Sequence, residues 1–204
     1  MWIGQLCRTG DGPGRRSYWR RHYGTRGRRR TSVTGVSSSD RIFALGPNEG
    51  EAMFVLGDVV TFKITSAESD DAYFLTEIAS PPGGGPAFLH THVPQETFWI
   101  LEGDYEVYGQ DEDGQKYAIE APVGSTVHVP GNVPHGFKNV GDAPGRLLAL
   151  YAPSVHQHEF FKEIGVPMGS ALDPAPFDQM PDNERILEVL AKHQMRLLED
   201  LPEG

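Results

Sequence analysis

The chain has 204 residues, a formal net charge of −10 and a single cysteine, Cys7, which excludes an intrachain disulfide. Residues 1–41 contain ten Arg and two acidic residues and so carry +8, whereas the remainder carries −18. An acidic body lacks the clustered Lys and Arg that phosphate groups require, so we expect its folded part to bind neither nucleic acid nor membrane. The length fits one domain with a hydrophobic core.

Residues 1–40 form a basic leader that is rich in Arg, Gly and Ser. Because so few of its residues are apolar, it cannot offset the entropy cost of ordering, and the sequence predicts that it is disordered. Three interpretations stay open: a nucleic-acid-binding arm, an organelle transit peptide, or a translated upstream stretch before a true start near Val33 or Val36. The chain contains neither a long apolar run nor the apolar core of a secretion signal, so a cytoplasmic location is expected.

Short apolar runs rich in Val, Ile, Phe and Tyr alternate with Gly, Pro, Asn and Asp from residue 41 to residue 153. This pattern is typical of many short strands, and close spacing without intervening helices predicts an antiparallel sandwich or barrel. The predicted strands are Ala52–Leu56, Val59–Thr65, Tyr73–Ala79, Phe88–His92, Thr97–Glu102, Asp104–Tyr108, Tyr117–Ala121, Ser125–Val129, Gly136–Asn139 and Arg146–Ala152.

Helical patterns occur only after the last strand, so we assign residues 154–204 to a C-terminal helical extension. Ser154 is placed to cap a helix over Val155–Ile164, and Asp182 is placed to cap a second helix over Glu184–Leu201. We expect the apolar faces of both helices to pack on the outer surface of the barrel.

A candidate metal site begins on the fourth predicted strand, Phe88–His92. Residues two apart on a strand point to the same face, so His90 and His92 project together, and a turn then brings Glu96 close. His135 is supplied by a distant strand. His-x-His alone is often incidental, but here Glu96 and His135 accompany it. Three neutral imidazoles and one carboxylate predict one divalent transition metal (Ni, Mn, Fe, Co, Cu or Zn) with one or two open positions.

Five further residues are candidates for a substrate pocket beside this site. The alternation of side chains allows Phe88, Phe98 and Phe137 to line an apolar pocket for an aromatic molecule, although core packing would select the same residues. Tyr73 and His128 are additional candidates, and His128 could equally be a structural histidine of the barrel.

The spacing of these residues resembles the paired motifs of the cupin superfamily. A first block of glycine, His-x-His, glutamate and glycine is followed by a second block of glycine, proline, histidine and asparagine, in which Asn132 occupies a position where the family has glycine. Residues 42–166 as a whole are similar to the single-domain bacterial cupins described as quercetin 2,3-dioxygenase-like. The matching positions are Gly84, His90, His92, Glu96, Gly103, Gly124, Pro130, His135 and Asn139.

The resemblance implies a jelly-roll β-barrel and a metal-dependent dioxygenase that uses O2 on a flavonol-like or other enolic or aromatic small molecule. In that reaction Glu96 would be both a ligand and the catalytic base that takes the substrate proton. A non-oxidative metal enzyme (isomerase, lyase or cyclase) and a non-catalytic binding protein remain alternatives. The family habit also predicts a homodimer.

Overall fold

The computed structural model describes residues 42–198, which form twelve strands and two α-helices. The predicted disordered leader and the residues after 198 lie outside this range. The strands are β1 Glu51–Val55, β2 Asp58–Ile64, β3 Phe74–Ser80, β4 His90–Thr91, β5 Gln95–Glu102, β6 Tyr105–Gln110, β7 Lys116–Ala121, β8 Thr126–Val129, β9 His135–Asn139, β10 Gly145–Ala152, β11 Val166–Met168 and β12 Arg196–Leu197. The helices are α1 Gln157–Ile164 and α2 Asn183–Lys192, and a 3₁₀ turn covers Phe177–Gln179.

The strands form two antiparallel sheets, which confirms the predicted all-β class. One sheet has the order β11-β1-β2-β3-β10-β5-β8, and the other has the order β12-β4-β9-β6-β7. Neighbours in the first sheet, such as β3 and β10, are distant in sequence, so the turns alone do not determine the pairing.

The core lies between the inner faces of the two sheets and follows the two-residue alternation of the strands. On β5 and β10, the paired residues Phe98 and Ala149 are both fully buried. The small alanine leaves room for the Phe98 ring, which packs edge-on against Phe137 of the other sheet with ring centroids 5.3 Å apart. Burying one such ring contributes about 1.5–3 kcal/mol to stability.

The first helix begins later than predicted and without the predicted cap. α1 starts at Gln157, and His156 before it has a left-handed backbone with φ of 65°. That turn directs Ser154 away from the helix, and its hydroxyl donates to the carbonyl oxygen of Asp71 over 3.3 Å. The prediction that the Ser154 side chain caps α1 is therefore wrong.

The second helix is capped as predicted but ends early. Asp182 Oδ1 accepts a hydrogen bond from the Arg185 backbone N–H over 2.9 Å, so this cap is confirmed. α2 then stops at Lys192, and Gln194 takes a left-handed φ of 59°. The chain continues as strand β12, so the predicted extension of this helix to Leu201 is wrong.

The helices also pack in a different place from the one predicted. Phe161 of α1 lies 5.9 Å from the Phe74 ring and 5.7 Å from the Tyr151 ring, and both rings belong to the inner face of the first sheet. The helices therefore cover the interior of the barrel instead of its outer surface, because their apolar stripes complete the core. Within residues 42–198, no helix is long and apolar enough to cross a membrane.

Candidate metal centre

Three buried histidines converge inside the barrel. His90 opens β4, His135 opens β9, and the antiparallel register places these two residues opposite each other. His92 follows two positions after His90, so it shares that face. One ring nitrogen of each histidine lies within 4.8 Å of the others, and all three side chains are buried. The structure thus brings together the three histidines that the spacing singles out.

Each of the three imidazole rings is oriented by a backbone carbonyl. A carbonyl oxygen can only accept, so the Nδ1 atom of each ring carries the proton and the Nε2 atom keeps a free lone pair for a metal. The three bonds are His90 Nδ1 to Phe88 O at 3.2 Å, His92 Nδ1 to Pro94 O at 2.9 Å and His135 Nδ1 to Val133 O at 2.8 Å.

Glu96 completes the donor set. Its Oε2 atom lies 3.2 Å from His92 Nε2 and 3.1 Å from His135 Nε2. Burial raises the pKa of Glu96, but the interactions with His135 and His92 lower it by more, so the pKa lies well below its ordinary value and the group is a carboxylate. The three histidines are grouped as a metal site requires, and the Glu96 carboxylate lies beside two of their nitrogens. Nitrogen and carboxylate donors of this kind fit a divalent transition metal.

His90 is also held in the form that binds metal. Burial, followed by the charges of His135 and His92, lowers the pKa of His90 to about 3. Its ring is therefore neutral at pH 7.

A cavity of about 60 Å³ adjoins the centre. His90, His92 and Glu96 contribute to one part of its wall, and the rest is largely apolar, with side chains from both sheets and both helices. The large side chains of this part are Phe88, Phe137, Tyr151, Phe160, Phe161 and Met195. The metal centre thus lies beside a mainly apolar cavity.

The five residues predicted for a substrate pocket fall in different places. Phe88 and Phe137 line the cavity. Phe98 is fully buried in the core and is not among the lining residues, and Tyr73 is half-buried away from the cavity. His128 is exposed on β8, where its Nδ1 lies 3.0 Å from Thr97 Oγ1.

Three polar residues of the cavity were not predicted, although the sequence contains a signal for each. Asp58 interrupts an apolar run at the start of β2, and Gln157 occupies a polar position in the apolar stripe of α1. Tyr151 continues the buried alternation of β10 and pairs with Glu96 in the sheet register. Burial, and then the charge and hydrogen bonding of Glu96, raise the pKa of Tyr151 well above its ordinary value.

The backbone around the ligands is held by close contacts. Gly136 follows His135, and a Cβ atom there would lie 2.6 Å from Pro86 O and 2.8 Å from Phe88 O. Only glycine allows β9 to approach the segment that orients His90 so closely. On the other side of β4, Leu197 pairs with His90, so the C-terminal strand supports the first ligand.

The family comparison agrees with this geometry, since residues 77–151 match the family model described as Cupin domain. Over these residues the chain is similar to cupin domains. The matched segment contains all four candidate ligands, His90, His92, Glu96 and His135.

Individual relatives of this chain are distant. An uncharacterized protein of Methanocaldococcus jannaschii is 31% identical over 78 residues, which cover 37% of this chain and 58% of that protein. The chain therefore matches less than two thirds of the length of this relative.

Solved structures with a similar fold include an oxalate oxidase (18% identity, TM-score 0.42, 59% of each chain). A cupin from Shewanella frigidimarina, described as RmlC-like, has 18% identity and a TM-score of 0.42, with 56% of this chain and 92% of that one covered. A mutant of Bacillus subtilis oxalate decarboxylase has 17% identity and a TM-score of 0.43, with 54% and 31% covered.

Proposed function

We propose that this cupin is a metal-dependent dioxygenase that acts on a compact enolic or phenolic molecule. The observation that carries the proposal is the convergence of three lone-pair-bearing Nε2 atoms and the Glu96 carboxylate at the wall of a mainly apolar cavity. When bound by these side chains, a divalent transition metal supplies Lewis acidity and an electron path between an organic molecule and O2.

Glu96 has two roles in this proposal. As a ligand, its carboxylate contributes negative charge to a set of neutral imidazoles. As a catalytic base, it accepts the proton of a substrate hydroxyl and leaves an electron-rich enolate or phenolate for O2 to attack. The position of Glu96 supports both roles, since its Oε2 lies within 3.2 Å of two imidazole nitrogens and the side chain is 3% exposed.

The cavity volume limits the size of the substrate. One water molecule needs roughly 10–15 Å³ on the same scale, so about 60 Å³ accommodates a few waters or one compact organic molecule. A complete flavonol, with several fused and linked rings, exceeds this space in the observed conformation. We therefore favour a small enol or a single phenolic ring as the substrate.

The cavity walls suit a reaction with O2. O2 is apolar and enters apolar spaces readily, and the aromatic walls keep bulk water away from a reactive enolate. In a ring-cleaving dioxygenation both oxygen atoms enter the product while one carbon–carbon bond breaks, so the reaction consumes no external reductant.

Oxygen uptake by the purified protein tests this function. The protein is loaded separately with Ni, Mn, Fe and Co and supplied with catechol, a β-diketone or quercetin. We expect oxygen uptake that requires both a metal and one of the compact substrates. Uptake should be lost in His90→Ala. It should persist in the control His128→Ala, which changes only an exposed histidine. No uptake by any verified metal-loaded form would contradict a dioxygenase, and uptake with quercetin alone would contradict the size limit.

The oligomeric state and the location of the protein remain predictions. A homodimer is supported by edge strand β7, on which Tyr117 is 46% and Ile119 is 44% exposed. Light scattering at low micromolar concentration should give about twice the chain mass, and a value near 22.5 kDa would exclude the dimer. The expected site of action is the cytoplasm.

A further inference from the structure

Asp58 is a buried carboxylate without a hydrogen-bond partner for one of its oxygens. It opens β2, is 4% exposed and lines the same cavity as His90 and Glu96. No residue from 42 to 198 donates a hydrogen bond to its Oδ1 atom, although the Ser80 hydroxyl and the Gly85 amide interact with the carboxyl group. An unpaired buried acceptor costs free energy, which a bound donor would recover.

Gln157 is a second polar group of this kind on a different element. It lies in the first turn of α1, is 3% exposed and lines the cavity. Its side-chain amide is a polar group in a mainly apolar part of the cavity wall. Phe160, Phe161 and Ile164 share its buried stripe, so an apolar residue at 157 would suit the core better.

The two groups have complementary hydrogen-bonding ability. The Asp58 carboxylate accepts, and the Gln157 amide can both donate and accept, so together they match a hydroxyl group, which does both. Tyr151 lines the same cavity, and its ring lies 5.9 Å from the ring of the candidate ligand His92. A hydroxyl bound by Asp58 and Gln157 can therefore belong to a molecule whose other end reaches the metal centre.

We propose that Asp58 and Gln157 form a second binding pole of the cavity, which binds a hydroxyl group of a compact substrate whose other oxygen binds at the metal centre. The inference rests on the proposed function, because the metal centre is assumed to hold the first oxygen. It narrows the substrate class to small molecules with two separated oxygen functions, at least one of them a hydroxyl.

Binding of simple phenols tests the second pole without any turnover. The protein is loaded with Zn, which is not redox-active, and titrated calorimetrically under anaerobic conditions with phenol, resorcinol and hydroquinone. The hydroxyls of the last two compounds are too far apart to chelate one metal, so a second oxygen improves affinity only through the protein. We expect at least one diol to bind about tenfold more tightly than phenol, as one additional hydrogen bond predicts.

Two substitutions, one on β2 and one on α1, show whether Asp58 and Gln157 cause the tighter binding of the diol. Asp58→Ala removes the carboxylate without filling the cavity, and Gln157→Leu replaces the amide with an apolar group of similar volume, so each should abolish the diol advantage while leaving phenol binding unchanged. His158→Leu is the matched control, because His158 Nε2 is buried without a hydrogen-bond partner among residues 42–198 and His158 does not line the cavity. This control should keep the full advantage. Circular dichroism shows whether each variant folds. If one variant does not fold, the binding result for the variant on the other element tests the second pole.

The outcomes separate this inference from the proposed function. A diol advantage that disappears in Asp58→Ala or Gln157→Leu supports the second pole even if no oxygen uptake is found. Absence of binding by every probe, or a diol advantage that persists in both variants, overturns the second pole even if the protein consumes O2.

Discussion

Leu197 of the C-terminal strand β12 pairs with His90, the first candidate ligand, in an antiparallel register. The strand that carries His90 is only two residues long, and the next residue of the C-terminal segment adds a further bond, from Leu198 N to Leu89 O at 2.9 Å. The position of one ligand therefore depends on residues more than one hundred positions later in the chain.

Removing that backbone bond should weaken metal binding. Leu198→Pro lacks the N–H donor, and we expect a loss of about 1 kcal/mol in stability and a several-fold loss in metal affinity. Leu198→Ala is the matched control, because it keeps the N–H and truncates a side chain that is 49% exposed. Competition with a fluorescent chelator measures both variants. Equal affinity in Leu198→Pro and Leu198→Ala would show that β12 does not position His90.

Substitution of the ligands should separate metal binding from activity. His90→Ala and His135→Ala each remove a nitrogen donor from the centre, and we expect both to lose most of the bound metal in elemental analysis. Glu96→Gln keeps an oxygen donor but cannot act as a base, so it should lose activity more than metal. Stoichiometric metal in His90→Ala would contradict the ligand assignment.

The metal-free protein should lose stability as pH rises through the acidic range because of Asp58. Burial raises the pKa of Asp58 from 3.8 to about 7, and the nearby Ser80 hydroxyl and Gly85 amide lower it by less. Between these values the folded state keeps a proton that the unfolded state releases, so the contribution of Asp58 to stability falls as pH increases from about 4 to 7.

The change from Asp58 amounts to at most roughly 4 kcal/mol, at 1.36 kcal/mol per pKa unit. Urea unfolding of wild-type protein and Asp58→Leu at several pH values isolates this contribution in the difference between the two proteins. Leu has no charge to desolvate, so the free energy of unfolding of the variant should increase relative to that of the wild type as pH rises towards 7. A difference in the free energy of unfolding that stays constant across this pH range would contradict the raised pKa of Asp58.

Shortening a cavity-lining side chain should relax the size limit at a cost in stability. Met195 lines the cavity and is 7% exposed, and we expect Met195→Ala to destabilise the fold by about 2–5 kcal/mol and to improve binding of larger phenols. Met180→Ala is the control, because Met180 is 43% exposed and lies away from the cavity. Thermal unfolding and calorimetry measure the two effects. Unchanged ligand selectivity in Met195→Ala would show that this residue does not limit cavity size.

The parts of the fold that depend on local pattern were predictable from the sequence. Strand alternation and turn residues indicate the all-β class, and two-residue spacing indicates that His90 and His92 share a face. The end of α2 was not predictable in this way, because Leu197 fits a helical repeat equally well and only its pairing with a distant strand determines its conformation.

The cavity was less predictable than the ligands because its walls come from both sheets and both helices. Phe98 and Phe137 satisfy the same alternation rule, yet only Phe137 lines the cavity while Phe98 is fully buried in the core. Asp58 and Gln157 stand out as polar residues in apolar patterns, but only the packing of β2 and α1 shows that both line the same space.

The most direct test of the central claim is oxygen consumption by the metal-loaded protein supplied with a compact phenol or enol, measured beside Glu96→Gln with verified metal content. We predict uptake by the wild type that requires both metal and substrate and that falls at least about tenfold in Glu96→Gln. Equal uptake by the two proteins would contradict Glu96 as the base, and no uptake by any metal-loaded form of the wild type would contradict the dioxygenase itself.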